Sequence, residues 1–570
     1  MPLVNPFRKR GIPYYPEVLI PLADGHTPSN SDGEKSNPHS AEEKGVSPSP
    51  QQYTTLTLEA LRAEVESDVA TSGHDTVYDR KSKIINRAIQ DIGMGRYQWQ
   101  LFILCGFGWT ADNLWLQGVA LTLPQLSLEF GVSETHVRFT TCALFIGLCV
   151  GAAFWGTASD LIGRRLAFNM TLFLCSIFGL ASGGGQSWIA VCALFACLGL
   201  GVGGNLPVDG ALFLEFLPFA SGNLLTMLSV WWPVGQLIGS LIAWGFVPNY
   251  TCESGLPSCH KAEAPCCRME DNMGWRYLTI TLGALTFVMF LCRFFLFHLY
   301  ESPKFLLSRG RQEEAVGVVH AIAYKNGAKT WLTTEILNEI GGHPDVVPDQ
   351  KLSMAEIVKR SLSRFSGDRI APLFGSKRLA LTTVLLWFCW TTIGMGYPLF
   401  NAFLPQYLSQ AGGGQARSTY EVYRDYAITS VVGVPGSILA CFTVEIPYVG
   451  RKGTMAISTV ITGVILFCFT ASTDPKVQLT CTSLEAFFQN IMYGVLYAYT
   501  PEVFPAPNRG TGTGIASCLN RIAGLCAPLV AIYAGDANPN APVYASGGLI
   551  LAAFVAMCLL PIETRGKQSL

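Results

Sequence analysis

Twelve long apolar runs constrain the fold of this 570-residue chain more than any other feature of its sequence. Each run is close to the roughly 20 residues that a helix needs to cross about 30 Å of hydrocarbon. The runs cover residues 98–123, 136–157, 166–185, 188–213, 223–246, 275–298, 378–402, 424–443, 454–472, 478–500, 511–534 and 543–561. Only 14% of the residues are charged, against about 25% in soluble domains. A chain of this length made of several soluble domains would need more charge to cover their surfaces, so that architecture is excluded. The sequence predicts an all-α integral membrane protein with twelve transmembrane helices.

The charge balance excludes a second class of protein. The chain has 39 basic and 40 acidic residues, a formal net charge of −1. A nucleic-acid-binding protein would carry a basic bias. We therefore expect a lipid bilayer as the surroundings and no nucleic-acid partner.

A long polar gap divides the twelve runs into two sets of six. The N-terminal half covers residues 98–298, the C-terminal half covers 378–562, and a basic linker covers 299–377. Three further segments lie outside these regions. Residues 1–80 are a polar tail that is predicted to be disordered, and residues 81–97 are predicted to form an amphipathic juxtamembrane helix that lies on the membrane surface. Residues 563–570 are a short C-terminus. An ordinary juxtamembrane helix without a function of its own is the alternative for the second of these.

The distribution of Lys and Arg predicts the orientation. The short loops alone do not decide it, but the residues that flank the linker and the first run are rich in basic side chains. Both termini and the linker are therefore expected in the cytoplasm, with the plasma membrane as the location.

The loop at residues 247–274 is then extracellular, and its composition agrees. Asn249-Tyr250-Thr251 is a glycosylation acceptor, so Asn249 is expected to carry a glycan. Four cysteines in this loop are expected to form two disulfides, with three possible connectivities: Cys252, Cys259, Cys266 and Cys267. A zinc site that includes His260 is the alternative, although no metal is expected.

Two motifs recur with the same spacing. Gly163-Arg164-Arg165 follows the second run, and Gly450-Arg451-Lys452 follows the eighth, 287 residues later. The same 287 residues separate Glu215-Phe216-Leu217-Pro218 from Glu502-Val503-Phe504-Pro505. A shared offset indicates two six-helix pseudo-repeats around a central cavity, an arrangement that places a binding site near the bilayer midplane.

Several motifs carry a family resemblance. The stretch from Gly156 to Arg165 resembles the signature loop of the major facilitator superfamily, and Glu301-Ser302-Pro303-Lys304 resembles the sugar-porter motif after the sixth helix. Tyr499-Thr500-Pro501-Glu502-Val503-Phe504-Pro505 is similar to the branch that holds synaptic-vesicle-related proteins and organic-ion transporters. The Cys-rich loop and the long tail are similar to those of fungal permeases. The resemblance implies a secondary transporter that works by alternating access and is not an enzyme.

The resemblance also implies a cytoplasmic gate of acidic and basic side chains, which opens when the protein faces inward. The expected members are Asp160, Arg164, Arg165, Glu215, Glu445, Arg451, Lys452, Glu502 and Arg509. Arg451 and Arg509 are available to pair with the two glutamates of the repeated motif. Simple anchoring at the interface is the alternative. The two halves differ, because Pro447 stands where Asp160 stands in the first half, and it stays open whether Glu445 substitutes for the missing acid.

Charges inside the apolar runs are candidates for function, because each costs several kcal/mol unless it is paired or hydrated. Asp112 is predicted to couple protons or to bind a cation. Arg521 is predicted to bind a substrate anion or to pair with a carboxylate such as Asp112. Three other charges receive structural interpretations: Asp209 belongs to the gate, Glu485 is solvated at the outer mouth, and Arg293 extends to the interface.

Polar side chains in the runs complete the candidate site. Gln236 and Asn401 lie on the fifth and seventh runs, which line the cavity in the family, and Asn205 is a third candidate for substrate binding. Hydrogen bonding between helices is the alternative for each of them.

The expected function is proton-coupled uptake of a small organic solute, with an organic acid ahead of a sugar or a polyol. A proton or another cation drives the transport, since the sequence has no nucleotide-binding loop, and no cofactor is expected. The alternatives are efflux of a metabolite and a nutrient receptor that does not transport. The protein is expected to be a monomer.

Overall fold

The computed structural model describes residues 15–22, 56–72, 76–218, 223–252, 256–260, 265–342, 370–410, 417–504, 509–538 and 540–564. Statements about the structure concern these residues only. All of the regular elements among them are helices.

The described helices form two sets that are joined by shorter ones. Before the N-terminal half come α1 (Leu58–Ser72) and α2 (Val77–Ile92). The N-terminal half contains α3 (Arg96–Phe130), α4 (Phe139–Ile162), α5 (Arg164–Ser182), α6 (Trp188–Phe216), α7 (Asn223–Leu228), α8 (Trp231–Phe246) and α9 (Gly274–Leu291). The linker contains α10 (Pro303–Ser308), α11 (Gln312–Asn326) and α12 (Thr334–Gly341). The C-terminal half contains α13 (Lys377–Asn401), α14 (Leu404–Gln410), α15 (Thr419–Thr443), α16 (Gly450–Ala471), α17 (Pro475–Val503), α18 (Arg509–Ala537) and α19 (Ala541–Leu559).

The twelve predicted spans are all found as helices. Among the described residues, nine helices are long and apolar enough to cross a membrane by length and composition alone. The fifth run is broken at Ser229 and Val230, so α8 has only 16 residues. The first and tenth runs, α3 and α17, carry buried polar side chains, among them Asp112, Gln117 and Glu485. Some of the polar groups inside the bundle therefore come from helices that length and apolar composition alone do not identify as spans.

The packing repeats between the halves, as the duplicated motifs predict. In the N-terminal half α4 and α5 both pack on α6, and α3 packs on α8. In the C-terminal half α15 and α16 both pack on α17, and α13 packs on α18. The halves meet where α8 packs on α15 and where α4 packs on α18. The face along which the halves meet, called the groove below, includes side chains of α3, α8, α13, α15, α17 and α18.

The amphipathic helix is found at α2, but its apolar face is covered by protein rather than lying on the membrane. Its buried positions are Ile84, Ile85, Ala88, Ile89 and Ile92, which pack in one cluster with buried side chains of α11 and α12. Polar contacts hold the same face. Lys81 donates to Gln312 and Asn338 at 2.9 and 3.0 Å, and the Trp331 indole donates to Asp91 at 2.9 Å. The periodicity of the apolar residues predicted the helix correctly. The residues that cover its apolar face lie about 230 positions later in the chain.

The structure also differs from the prediction in the polar tail. Residues 58–72 form α1, and Arg87 of α2 donates to Glu64 of α1 at 2.6 Å. Residues 16–18 form a short 3₁₀ turn, and Leu19 pairs with Thr330 of the linker. Parts of the tail therefore pack on the linker helices, and the rest of the tail lies outside the described residues. The end of the bundle that carries this assembly is called the linker end below.

The opposite end, called the disulfide end, carries the Cys-rich loop. Two disulfides are present, as predicted, and they join Cys252 to Cys267 and Cys259 to Cys266, with Cα–Cα distances of 5.7 and 4.9 Å. In the described part of the chain, no group of three or more His, Cys, Asp or Glu side chains is arranged to hold a metal ion. Asn249 is exposed, and its glycosylation stays a prediction.

Candidate functional site

The centre of the groove holds one carboxylate and one guanidinium from opposite halves. Asp112 lies on α3 and is 1% exposed, and its Oδ1 has no hydrogen-bond partner. Arg521 lies on α18 and interacts electrostatically with Asp112. Among the described residues, no carboxylate lies within 4 Å of the Arg521 side chain in an ion pair. The two predicted residues are therefore brought together across the groove, but each keeps capacity for another partner.

A layer of amides and hydroxyls adjoins this pair on the side of the disulfide end. Gln117 of α3 donates to the Tyr397 hydroxyl at 2.8 Å and accepts a hydrogen bond from the Tyr426 hydroxyl. Gln236 of α8 also lies beside Tyr426 and forms a side-chain hydrogen bond with it. Gln236, a predicted substrate-binding residue, therefore faces the C-terminal half across the groove.

An aromatic cluster closes the groove on the side of the linker end. Tyr497 of α17 is its centre, with ring centroids 5.5 Å from Trp109, 5.1 Å from Trp232 and 4.7 Å from Trp390, all edge to face. Tyr493 stacks on Tyr497 at 6.4 Å. Two of the rings come from the N-terminal half and three from the C-terminal half, so the cluster must separate before a solute passes between the halves.

Asn401, the second predicted substrate-binding residue, lies in a buried polar group of the C-terminal half. Its Nδ2 donates to Glu485 at 3.2 Å and to Gln489 at 3.1 Å. Glu485 is 1% exposed, so the expectation that it is solvated at the outer mouth is wrong. Span position alone placed Glu485 near the surface, but α17 extends ten residues beyond it towards the disulfide end and keeps it inside the bundle.

Asn205, the third candidate, bonds between helices. It is fully buried on α6, and its Nδ2 donates to the backbone oxygen of Gly108 on α3 at 3.4 Å. Its Oδ1 has no partner. The structure thus places Asn205 in the packing of the N-terminal half, beside the groove helix α3.

Asp209 and Arg293 form a buried ion pair, which corrects two expectations. Both are fully buried, and Arg293 donates to Asp209 at 2.7 Å. Arg293 also donates to the backbone oxygens of Leu104 and Phe168, each at 2.9 Å. Arg293 therefore does not extend to the interface, and Asp209 bonds with it rather than with a gate residue. This pair ties α3, α5, α6 and the π-helical turn that follows α9 into one bundle.

One residue that the sequence analysis missed joins the two halves at the disulfide end. Arg138, on a 3₁₀ turn between α3 and α4, is 4% exposed. Its Nε donates to Gln406 at 3.0 Å, and its Nη1 donates to the backbone oxygen of Ala531 at 2.6 Å. The guanidinium also lies 5.0 Å from the ring centre of Phe403. We call Arg138 and these C-terminal partners the outer interlock; basic charge in a loop was its only signal in the sequence.

At the linker end, the duplicated motifs form duplicated contacts. Arg164 pairs with Glu215 at 3.4 Å, and Arg451 pairs with Glu502 in the same way. Arg164 also donates to Ser159 at 2.6 Å. Each pair lies within one half. Arg451 was expected to pair with a glutamate of the repeated motif, and its partner is Glu502, the glutamate of the same half.

Two further glutamates cap helices at these corners, of which the sequence analysis named only Glu301, as a motif residue. Glu301 accepts from the backbone N–H groups of Arg164 and Arg165 at 2.9 and 3.3 Å, and Glu563 accepts from those of Arg451 and Lys452, both at 3.1 Å. Carboxylates at helix N-termini are stabilised by the unpaired N–H groups and the helix dipole.

The glycines at the start of the two capped helices, Gly163 and Gly450, have φ of +105° and +59°. A side chain there would be strained and would collide with the capping carboxylate. Burial raises the pKa of Glu301 above the usual range, although the backbone N–H groups oppose this shift.

The remaining gate candidates are placed less completely. Glu445 is exposed and interacts electrostatically with Arg451, which is compatible with a substitute acid in the second half. The side chains of Asp160 and Arg509 lie outside the described part of the structure, so their roles in the gate stay predictions.

Comparison with known proteins gives concordant matches. The family model described as "Sugar (and other) transporter" matches residues 107–569. The chain is 45% identical to the MFS siderochrome iron transporter 1 of Ceriporiopsis subvermispora over 500 residues, which cover 87% of this chain and 93% of that protein. It is 28% identical to the synaptic vesicle 2-related protein of Xenopus laevis over 536 residues, which cover 90% of this chain and 86% of that protein.

A solved structure matches as well. The proton:xylose symporter XylE bound to 6-bromo-6-deoxy-D-glucose aligns with a TM-score of 0.60 and 20% identity, over 83% of this chain and 98% of that one. This likeness shows the twelve-helix fold. The packing repeat, the duplicated corner contacts and the family match agree, and the chain belongs to the sugar (and other) transporter family of the major facilitator superfamily.

Proposed function

We propose that this transporter takes up a small organic acid together with a proton, by alternating access across the plasma membrane. The observation that carries the proposal is the pair of Asp112 and Arg521, which face each other from opposite halves without an ion pair. The linker end faces the cytoplasm in this proposal, and both termini lie there. One protein molecule forms the complete path, because both halves of the groove come from one chain.

The chemistry of the pair suggests the order of events. A buried carboxylate next to a guanidinium is stabilised by it, and protonation of Asp112 would leave the Arg521 charge without a counter-ion. A substrate carboxylate then binds Arg521 in place of Asp112. Gln236 and Asn401 provide hydrogen bonds to the rest of the solute. The charge of the occupied site is balanced only when both proton and anion are bound, which couples their movements.

Conformational control comes from the two ends of the bundle. The outer interlock and the aromatic cluster around Tyr497 lie on opposite sides of Asp112, so opening one while the other stays closed gives alternating access. The corner pairs of Arg164 with Glu215 and of Arg451 with Glu502 stiffen each half at the linker end. Lys452 and Arg165 contribute backbone N–H groups to the capped corners, and Asp160, Glu445 and Arg509 complete the gate.

Accumulation in proteoliposomes tests the proposal. Purified full-length protein is reconstituted, an inward proton gradient is imposed, and uptake of labelled succinate, gluconate, xylose and xylitol is measured. We expect an acid to accumulate above equilibrium in wild type. Asp112→Asn should abolish accumulation but not exchange of the same acid, whereas Asp271→Asn, which removes an exposed carboxylate at the disulfide end, should have no effect.

Three outcomes would contradict the proposal. Undiminished accumulation by Asp112→Asn would show that Asp112 does not carry the proton. Accumulation of xylose or xylitol that is indifferent to Arg521→Ala would return Arg521 to a structural role and replace the organic acid with a sugar or a polyol. Acid movement driven only outward by the gradient would support the efflux alternative.

A further inference from the structure

A second buried carboxylate lies in the C-terminal half. Glu485 of α17 accepts one hydrogen bond, from the Asn401 amide at 3.2 Å, and its Oε2 has no partner. Among the described residues, no Lys, Arg or His side chain forms an ion pair with Glu485. A carboxylate inside the bilayer costs several kcal/mol unless it is compensated, and such residues are functional candidates. One oxygen of Glu485 is thus available to a ligand.

Three tyrosines lie near this carboxylate. Tyr397, Tyr426 and Tyr493 each interact electrostatically with Glu485. The rings of Tyr397 and Tyr493 pack edge to face, at 89° with centroids 5.5 Å apart, and the place near Glu485 where they meet is called the corner below. Aromatic faces attract cations, most strongly where water is excluded, and a carboxylate adds an opposite charge. The chemistry of this corner therefore suits an organic ammonium group.

The corner and Arg521 lie at different depths in the C-terminal half. Arg521 lies twelve residues after the start of α18, and Glu485 lies eighteen residues before the end of α17. At a rise of 1.5 Å per residue, these positions are about 18 and about 27 Å from the loop that joins the two helices, or about 9 Å apart along the bundle. Two hydrogen-bond distances of about 3 Å leave about 3 Å or more between the charged groups of a bridging solute. Short amino acids and short betaines have this spacing.

We infer that the substrate is a small zwitterion, whose carboxylate binds Arg521 and whose ammonium group binds Glu485 among the three tyrosines. This inference rests on the proposed function and narrows its substrate from organic acids to acids that also carry a cation. The requirement for both charges explains why the groove has two carboxylates for one guanidinium. Asp112 serves the proton, and Glu485 serves the substrate cation.

Binding of isosteric pairs tests the inference. The first pair is 4-aminobutyrate and pentanoate, in which a methyl group replaces the ammonium. The second is γ-butyrobetaine and 5,5-dimethylhexanoate, in which a quaternary carbon replaces the quaternary nitrogen. Dissociation constants are measured by calorimetry on the purified full-length protein. In wild type, at least one zwitterion should bind ten-fold or more tightly than its isostere.

Variants assign that preference to Glu485. Glu485→Gln should reduce the preference to about two-fold or less, mainly by weakening the zwitterion, and Glu485→Asp should keep most of it. The control Glu270→Gln, an exposed carboxylate at the disulfide end, should leave both members of each pair unchanged. Thermal unfolding of each variant verifies that it is folded.

The outcomes separate this inference from the proposed function. Carboxylates that bind wild type without any gain from the ammonium group would overturn the zwitterion and leave organic-acid transport standing. A preference that persists in Glu485→Gln would likewise remove Glu485 from the site. Failure of wild type to bind any of these acids, with xylose or xylitol binding instead, would overturn both.

Discussion

Removal of the Arg138 side chain should open the disulfide end of the bundle. Arg138 belongs to the N-terminal half, while its partners Gln406, Ala531 and Phe403 all belong to the C-terminal half. The halves cannot separate there unless all of these contacts break. The outer interlock thus favours the state in which the disulfide end is closed, and Arg138→Ala removes this bias.

The contacts give the size of the expected effect. A hydrogen bond from a charged donor contributes about 1.5–3 kcal/mol net, and Arg138 makes two of them. Taking the lower value for each, because water replaces them in the open state, gives about 3 kcal/mol. Since 1.4 kcal/mol is a factor of ten, the ratio of open to closed molecules should rise roughly 100-fold. The ring contact with Phe403 adds to this value.

Distance distributions between spin labels measure that ratio. One label replaces Gln186 at the disulfide end of the N-terminal half, and the other replaces Lys476 at the same end of the C-terminal half; both are exposed. The labels are attached through unnatural amino acids, because the chain has fourteen free cysteines. Arg138→Ala should shift the distribution to longer distances.

The matched control is Arg268→Ala, an exposed arginine of the Cys-rich loop. It removes the same charge from the same end without a contact between the halves, so its distribution should resemble that of wild type. An unchanged distribution in Arg138→Ala, or an equal shift in both variants, would refute the reasoning.

Three further predictions concern other parts of the molecule. Asp209→Asn leaves the Arg293 guanidinium buried without a counter-ion and should destabilise the protein by about 3–5 kcal/mol, which thermal unfolding in detergent would show as a lower Tm. A Tm within about 1–2 °C of wild type corresponds to a loss of stability below about 1 kcal/mol and would contradict a stabilising role for the pair. Glu301→Gln and Glu563→Gln each weaken a helix cap by about 1 kcal/mol, and the double variant should increase the access of an impermeant reagent from the linker end more than either single variant does. Asn249→Gln should remove an endoglycosidase-sensitive mobility shift; a shift that remains would place the glycan elsewhere.

The fold could be predicted from the sequence because its main determinant is local. A run of about 20 apolar residues specifies a membrane-crossing helix wherever it lies in the chain, and a motif that recurs after 287 residues specifies the repeat. The break that separates α7 from α8 left no comparable signal, since the residues on either side of Ser229 and Val230 are apolar.

The surface that covers each helix was harder to predict. The spacing of isoleucines in α2 correctly predicted one apolar face, but periodicity does not distinguish a face that lies on lipid from one that packs on protein. The covering helices α11 and α12 lie more than 200 residues later in the chain. The same limitation affected α1, whose polar composition gave no sign that its buried residues Leu61 and Val65 pack in the cluster that also holds α2, α11 and α12.

The buried charges show most clearly what the sequence alone could not predict. Position in a span correctly predicted that Asp112 is buried, because a carboxylate in the middle of a run has no route to water. Its role in proton coupling stays a prediction. The same rule was wrong for Arg293 and Glu485, since it assumed that a charge near a span end reaches the interface. Arg293 instead meets Asp209, which is 84 residues away in the chain. Partners at such distances are determined by helix packing rather than by local sequence.

Proton movement driven by substrate is the most direct test of the central claim, that Asp112 couples proton entry to solute entry. Proteoliposomes with a pH-sensitive dye inside are prepared without an imposed pH gradient. Succinate, gluconate and 4-aminobutyrate are then added outside in turn. The account predicts that at least one of them acidifies the interior of wild-type vesicles, and that the same solute enters Asp112→Asn vesicles without acidification. Solute entry into wild-type vesicles without any pH change, or equal acidification in Asp112→Asn, would contradict it.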